Sequence, residues 1–182
     1  MIFRFIIISD EVDDFMREIQ IDSDATFLDF HKAIQDSCGY EDGQMTSFTM
    51  CENGWEKAEE ITLEDMGKDA SEDTYVMSET KLSEFLEDEK QHLLYTFDPL
   101  ADRIFFIELA EIITRKNLSE PKVTRKHGEA PQQTLDFDEL MAKNPVGLDD
   151  DIFDDDDDDL YGDGIDDIDL EDLDISDGNP YD

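Results

Sequence analysis

The chain has 182 residues, and 52 acidic against 14 basic side chains give it a formal net charge of -38 at pH 7. Affinity for a phosphate backbone comes from Lys and Arg displacing counterions, and anionic lipid surfaces attract the same residues, so neither nucleic acid nor such a membrane is expected as a direct partner. With 38% hydrophobic and 10% aromatic residues, the chain still has the core formers that a wholly disordered protein lacks.

The charge divides the chain. Residues 149–182 carry 18 acidic side chains and no basic one, which leaves 34 acidic and 14 basic groups, a net of -20, to residues 1–148. Asp154 to Asp159 are consecutive aspartates that repel one another, so residues 146–182 are predicted to form a disordered acidic tail. Residues 1–145 have the size of one ordinary domain.

Residues 1–9 form a nearly continuous apolar and aromatic run, which predicts a strand covered on both faces. The run is too short for a signal peptide, and Asp10, Glu11, Asp13 and Asp14 follow it at once. No segment approaches the roughly 20 apolar residues of a membrane span, so a cytoplasmic, soluble protein is expected. Phe15, Arg17, Ile19 and Ile21 then alternate with Met16, Glu18, Gln20 and Asp22, the period of a second strand that closes a hairpin with the first. Ser23 or Asp24 offers a helix N-cap. Phe27, Phe30, His31, Ile34 and Cys38 recur at helical spacing up to Gly39, a C-terminal stop.

Met45 to Cys51, the dipeptide Asn53-Gly54 and the segment from Trp55 onward predict a second hairpin, because Asn-Gly supplies the positive-φ positions of a tight turn. Lys68 to Asp73 reads as a loop, and Thr80 to Glu89, with Leu82, Phe85 and Leu86, as a short helix. Leu93 to Phe97 and Arg103 to Ile113 are strand-like and are joined by Asp98-Pro99-Leu100-Ala101-Asp102, a third hairpin. Asn117 to Gln133, with Pro121, Gly128 and Pro131, reads as a long loop, and Leu135 to Met141 as a closing helix. The sum is an α+β fold: a mixed sheet of about six strands in three hairpins, with one main helix packed across it and a β-grasp-like order in the first half. The aromatic residues Phe3, Phe5, Phe27, Phe30, Trp55, Phe97, Phe105 and Phe106 are assigned to its core.

Chemistry is sparse in this pattern. Cys38 and Cys51 lie in apolar-periodic stretches and read as buried thiols, with neither a disulfide framework nor a four-ligand zinc pattern. The chain lacks a Gly-x-Ser-x-Gly elbow, a Cys and His pair at motif spacing, a Gly-rich phosphate loop and a calcium loop. A non-enzymatic protein with no metal and no cofactor is therefore expected. His31 reads as a half-buried structural histidine, since Asp29 and Asp36 do not share its helix face. Catalysis would require it to reach Asp98 or Asp102 inside a cleft. Arg17, between Phe15 and Ile19 on one strand face, needs a partner, and Asp98 or Asp102 is expected to supply a structural ion pair.

Met16-Arg17-Glu18-Ile19, then Phe30-His31-Lys32-Ala33-Ile34-Gln35 with Gly39-Tyr40, then Met45 and Phe48, then Tyr95-Thr96-Phe97-Asp98 and Asp102 follow one another in an order that resembles the plasmid pRi Orf-three-like family. That family carries a "W-R-R-I" strand, an "L-H-x-x-I-Q" helix, an "H-L-H-x-F" strand and a "Y-D-F-G-D-x-W-x-H" hairpin. The resemblance covers about the first 130 residues. It implies an α/β fold, a connection to plasmids and insertion elements under a resolvase-like label, and a possible binding role for the motif positions Arg17, His31, Gln35, Asp98 and Asp102. The chain departs from the pattern at Gln44 and Thr46, where the family has histidines, and at Arg103 and Phe105 in the late hairpin.

Lys116, Lys122, Arg125, Lys126 and His127 form the one basic cluster, read as an exposed loop within electrostatic reach of the acidic tail. Within the tail, Ile165, Ile168, Leu170, Leu173 and Ile175 interleave with acidic residues, the pattern of a disordered segment that folds on a partner. The expected function is a protein-interaction module whose acidic tail docks on a basic partner or on its own basic loop. The alternative is an accessory of plasmid or mobile-element DNA transactions that acts through a DNA-binding protein.

Overall fold

A computed structural model of the chain describes residues 1–67 and 73–143. Within them the protein is α+β, built on one mixed sheet in the order β5-β4-β3-β6-β7-β1-β2-β8. The strands are β1 (Ile2–Ser9), β2 (Met16–Asp22), β3 (Ser47–Glu52), β4 (Glu56–Thr62), β5 (Tyr75–Val76), β6 (His92–Asp98), β7 (Arg103–Ile113) and β8 (Lys122–His127). The helices are α1 (Phe27–Cys38) and α2 (Phe137–Lys143). Every ladder is antiparallel except β4 with β5. The hairpins β1–β2 and β3–β4 are not neighbours, because β6–β7 inserts between them.

The apolar run of β1 places it near the middle of the sheet, between β7 and β2. Phe3, Phe5 and Ile7 are fully buried, whereas Ile6 is half-buried and Ile8 is 46% exposed. The strand is thus closed over on one face rather than on both, because α1 covers that face alone. Arg17, Ile19 and Ile21 of β2 point to the same buried side, as their alternation predicts.

The buried face of α1 carries Phe27, Phe30 and Ile34. Phe30 stacks on Phe5 at 4.4 Å and on Phe48 at 5.3 Å, so one helix residue links the first hairpin to the second. The rings continue through Phe48 and Tyr95 to Phe105, Phe97 and Phe15. Each fully buried ring contributes about 1.5–3 kcal/mol of transfer free energy, and stacking adds to it. The N-cap is Thr26 and not Ser23 or Asp24. Its hydroxyl accepts from the Asp29 amide while the Asp29 carboxylate accepts from the Thr26 amide, a capping box. The two earlier residues are spent in the preceding turn, where the Ser23 amide bonds the Met1 carbonyl and the Asp24 amide bonds the Asp22 carboxylate. Gly39 ends the helix at φ 69°.

The second and third hairpins form where the spacing puts them, with Asn53 and Gly54 at φ 48° and 99°. Three elements differ from expectation. The segment predicted as a helix from Thr80 has only a single 3-10 turn, Leu82–Glu84. The Gln91 side-chain oxygen takes the amides of Glu87 and Asp88 instead, so the turn does not propagate. The stretch read as a loop after Asn117 contains β8, and β5 adds an eighth strand to the six expected. All six residues of β8 are exposed, so no burial period marks it in the sequence. Trp55, assigned to the core, is 43% exposed; it stacks on His92 at 4.1 Å on the uncovered face of the sheet. The loop predicted at Lys68 to Asp73 lies mostly outside the described residues, as does the tail.

Candidate functional site

The helical spacing that buries Phe30 and Ile34 also turns His31 inward, where it is 3% exposed. Its Nδ1 lies 2.8 Å from the Tyr95 hydroxyl on β6 and 3.1 Å from the Thr46 hydroxyl just before β3. Burial pushes the Tyr95 phenol well above its ordinary range, so that group stays protonated. Burial lowers the pKa of His31; nearby Asp42 opposes the shift and Lys32 reinforces it. The imidazole is therefore neutral near pH 7.

Beside His31 opens a cavity of about 420 Å³, with Lys32, Asp42, Glu64, Met45 and Leu63 in its wall. Gln44 also borders it. The two residues that stand where the resembled pattern has histidines, Gln44 and Thr46, thus both lie beside His31. Among the described residues, no group of three or more His, Cys, Asp and Glu side chains is arranged to hold a metal. Sequence reasoning missed this constellation because Thr46 and Tyr95 are 15 and 64 residues from His31, and only the sheet brings them together.

Among the described residues Arg17 has no carboxylate partner, contrary to expectation. Its guanidinium donates to four backbone carbonyls: Ser37 at 3.1 Å, Met16 at 2.9 Å, His127 at 2.8 Å and Gly128 at 3.0 Å. It also lies 4.5 Å from the centre of the Phe15 ring. Asp98 pairs instead with Arg103 at 3.3 Å, and Arg103 takes Glu11 through two bonds of 2.9 and 2.8 Å. Burial works against the Arg103 charge, but Glu11 and Asp98 outweigh it and raise its pKa. Asp102 sits in the β6–β7 turn at φ 52°, exposed. Gln35 is buried and reaches the Glu41 carbonyl at 3.5 Å, closing the chain after α1. Of the motif positions, then, His31 borders a cavity, whereas Arg17, Gln35 and Asp98 tie elements together. His31 bonds neither Asp98 nor Asp102.

The basic cluster is also relocated. Lys122, Arg125, Lys126 and His127 belong to β8, the last strand of the sheet, which is bonded to β2 along one side. The bulge opposite Glu18 is closed by Thr124, whose hydroxyl bonds the Glu18 carboxylate at 2.8 Å. The docking residues Ile165, Ile168, Leu170, Leu173 and Ile175 lie outside the described residues.

Comparison with known proteins agrees with this architecture. The model of a family described as plasmid pRiA4b ORF-3-like protein matches residues 4–141. A protein of unknown function, MM3350 from Methanosarcina mazei Go1, has a solved structure similar to this one: TM-score 0.56, 24% identity, over 69% of this chain and 68% of that one. That likeness concerns the fold. No curated protein matches the chain. No helix among the described residues is long and apolar enough to cross a membrane.

Proposed function

The chain belongs to the plasmid pRiA4b ORF-3-like family, and from that premise we propose that it works without catalysis, as a protein-interaction module with two electrostatically opposite docking elements. The observation that carries the reading is β8. It is an edge strand exposed at all six positions, and it holds Lys122, Arg125 and Lys126 on a domain that is otherwise strongly acidic. Lysines on an edge strand discourage indiscriminate pairing between sheets. The same charges favour one kind of guest, an extended acidic segment that adds to the strand through backbone bonds. The second element is the acidic stretch 149–182, which docks on a basic surface of a partner or on the basic strand.

Capture from the native cell with three forms of the chain tests this: the natural one, one ending at residue 148, and Lys122→Glu with Arg125→Glu and Lys126→Glu. The expected result is a partner set that dissociates steeply with salt and is lost from at least one altered form. An identical set with all three, or one indifferent to salt, rules the reading out. The plasmid association of the family favours a second reading, an accessory of DNA transactions that acts on a DNA-binding protein by offering it phosphate-like charge. Its mark is a captured partner of high pI that DNA displaces.

A further inference from the structure

We propose that the cavity beside His31 binds a small uncharged molecule with a hydrogen-bond acceptor next to a donor, of the class of an amino-bearing nucleobase. The inference is independent of β8 and of the acidic stretch.

The direction of these hydrogen bonds carries the first step. The Tyr95 and Thr46 hydroxyls both lie within hydrogen-bond distance of His31 Nδ1, and a hydroxyl donating there uses the nitrogen lone pair. A proton on Nδ1 would take that acceptor away from both hydroxyls. A neutral imidazole whose Nδ1 accepts carries its proton on Nε2, an assignment that follows from the network. Nε2 has no hydrogen-bond partner among the described residues, although the side chain is 97% buried (3% exposed). An N–H that opens on the cavity gains by meeting an acceptor there.

The rest of the wall sets the other requirements. Asp42 and Glu64 offer carboxylates against the single ammonium of Lys32, so an anionic ligand is repelled and an N–H donor is welcomed. Asp42 borders the same cavity as His31, so one ligand can meet both the carboxylate and the ring N–H. Met45 and Leu63 supply apolar surface, and a thioether adapts well to a flat ring. A volume of about 420 Å³ admits a nucleoside-sized molecule. A nucleobase with a ring acceptor beside an exocyclic amine has this edge.

Titrating adenosine and cytidine into the isotopically labelled full chain, with benzoate as the anionic control, tests the proposal by NMR of the His31 ring. The free protein should show the Nε2–H tautomer. Adenosine or cytidine should shift the Nε2 signal, benzoate should not, and Asp42→Asn, an exposed change that spares the core, should weaken binding on the order of tenfold. An Nδ1–H tautomer overturns the proposal. So do His31 signals that neither nucleoside moves at millimolar concentration, binding of benzoate equal to that of the nucleosides, or an Asp42→Asn protein that binds unchanged.

Discussion

Arg17 Nε donates to the carbonyl of Ser37 at 3.1 Å, placing a guanidinium of β2 at the C-terminal end of α1. The last turn of that helix has no basic residue of its own, so the neighbouring strand supplies the positive charge that its dipole favours. The same group holds His127 and Gly128 at the end of β8. One side chain therefore fastens a helix end, its own strand and the edge strand.

Arg17→Met should destabilise the protein by about 3–5 kcal/mol, because four carbonyls lose their donor inside the protein. Arg17→Lys keeps the charge but not the fork, and should recover only part of the loss. Urea midpoints at unchanged slope measure both.

Stability should fall as the pH drops through the ordinary histidine range. The pKa of His31 is lowered in the folded state, chiefly by burial. Below about pH 6.5 the unfolded chain takes up a proton that the folded chain refuses, so acid favours unfolding. Above that pH the contribution is fully present. Urea midpoints between pH 7.5 and pH 5 should show the slope, and His31→Gln should flatten it, whatever that change costs at pH 7.5.

Gly128→Ala and Gly39→Ala should separate sharply although both glycines have positive φ, 67° and 69°. A Cβ at Gly128 would meet the Asp14 carbonyl oxygen at 2.4 Å, whereas one at Gly39 meets nothing within 4 Å. Gly39→Ala should cost about 1 kcal/mol, the ordinary price of a left-handed alanine. Gly128→Ala should cost clearly more and should free the end of β8, seen as faster amide exchange there.

Cys38 should alkylate slowly in the native protein. Burial raises its thiol pKa, against smaller opposing effects of Ser37, Arg17 and Lys126, so little thiolate is present at pH 8. Iodoacetamide labelling read by mass spectrometry should lag far behind labelling of the same residue in urea.

Much of the fold was legible because burial leaves a period. The alternation from Phe15 to Ile21, the three-to-four spacing from Phe27 to Cys38, and Asn53-Gly54 each state a local geometry, and each forms where it was read. β8 left no such trace: an edge strand exposed at every position is held by backbone bonds to β2, and those bonds are indifferent to side-chain type. Trp55 misled for the converse reason, since a large ring beside a turn is as comfortable stacked on His92 as inside a core.

The partners of the buried polar groups were beyond reach in another way. That Arg17 and His31 lie on inward faces follows from their spacing alone, and so does the need of each for a partner. Which partner it has depends on where strands far apart in the chain are brought. Asp98 looked available to Arg17 but stands with Arg103 and Glu11. The carbonyls that do receive Arg17 belong to every residue type and so have no signature. Composition and periodicity alone determined an acidic α+β domain followed by a more acidic stretch, because charge and burial are properties of residue types. The sheet order decided that the basic cluster is an edge strand and that Thr46, Tyr95 and His31 meet beside a cavity, because those are properties of long-range pairing.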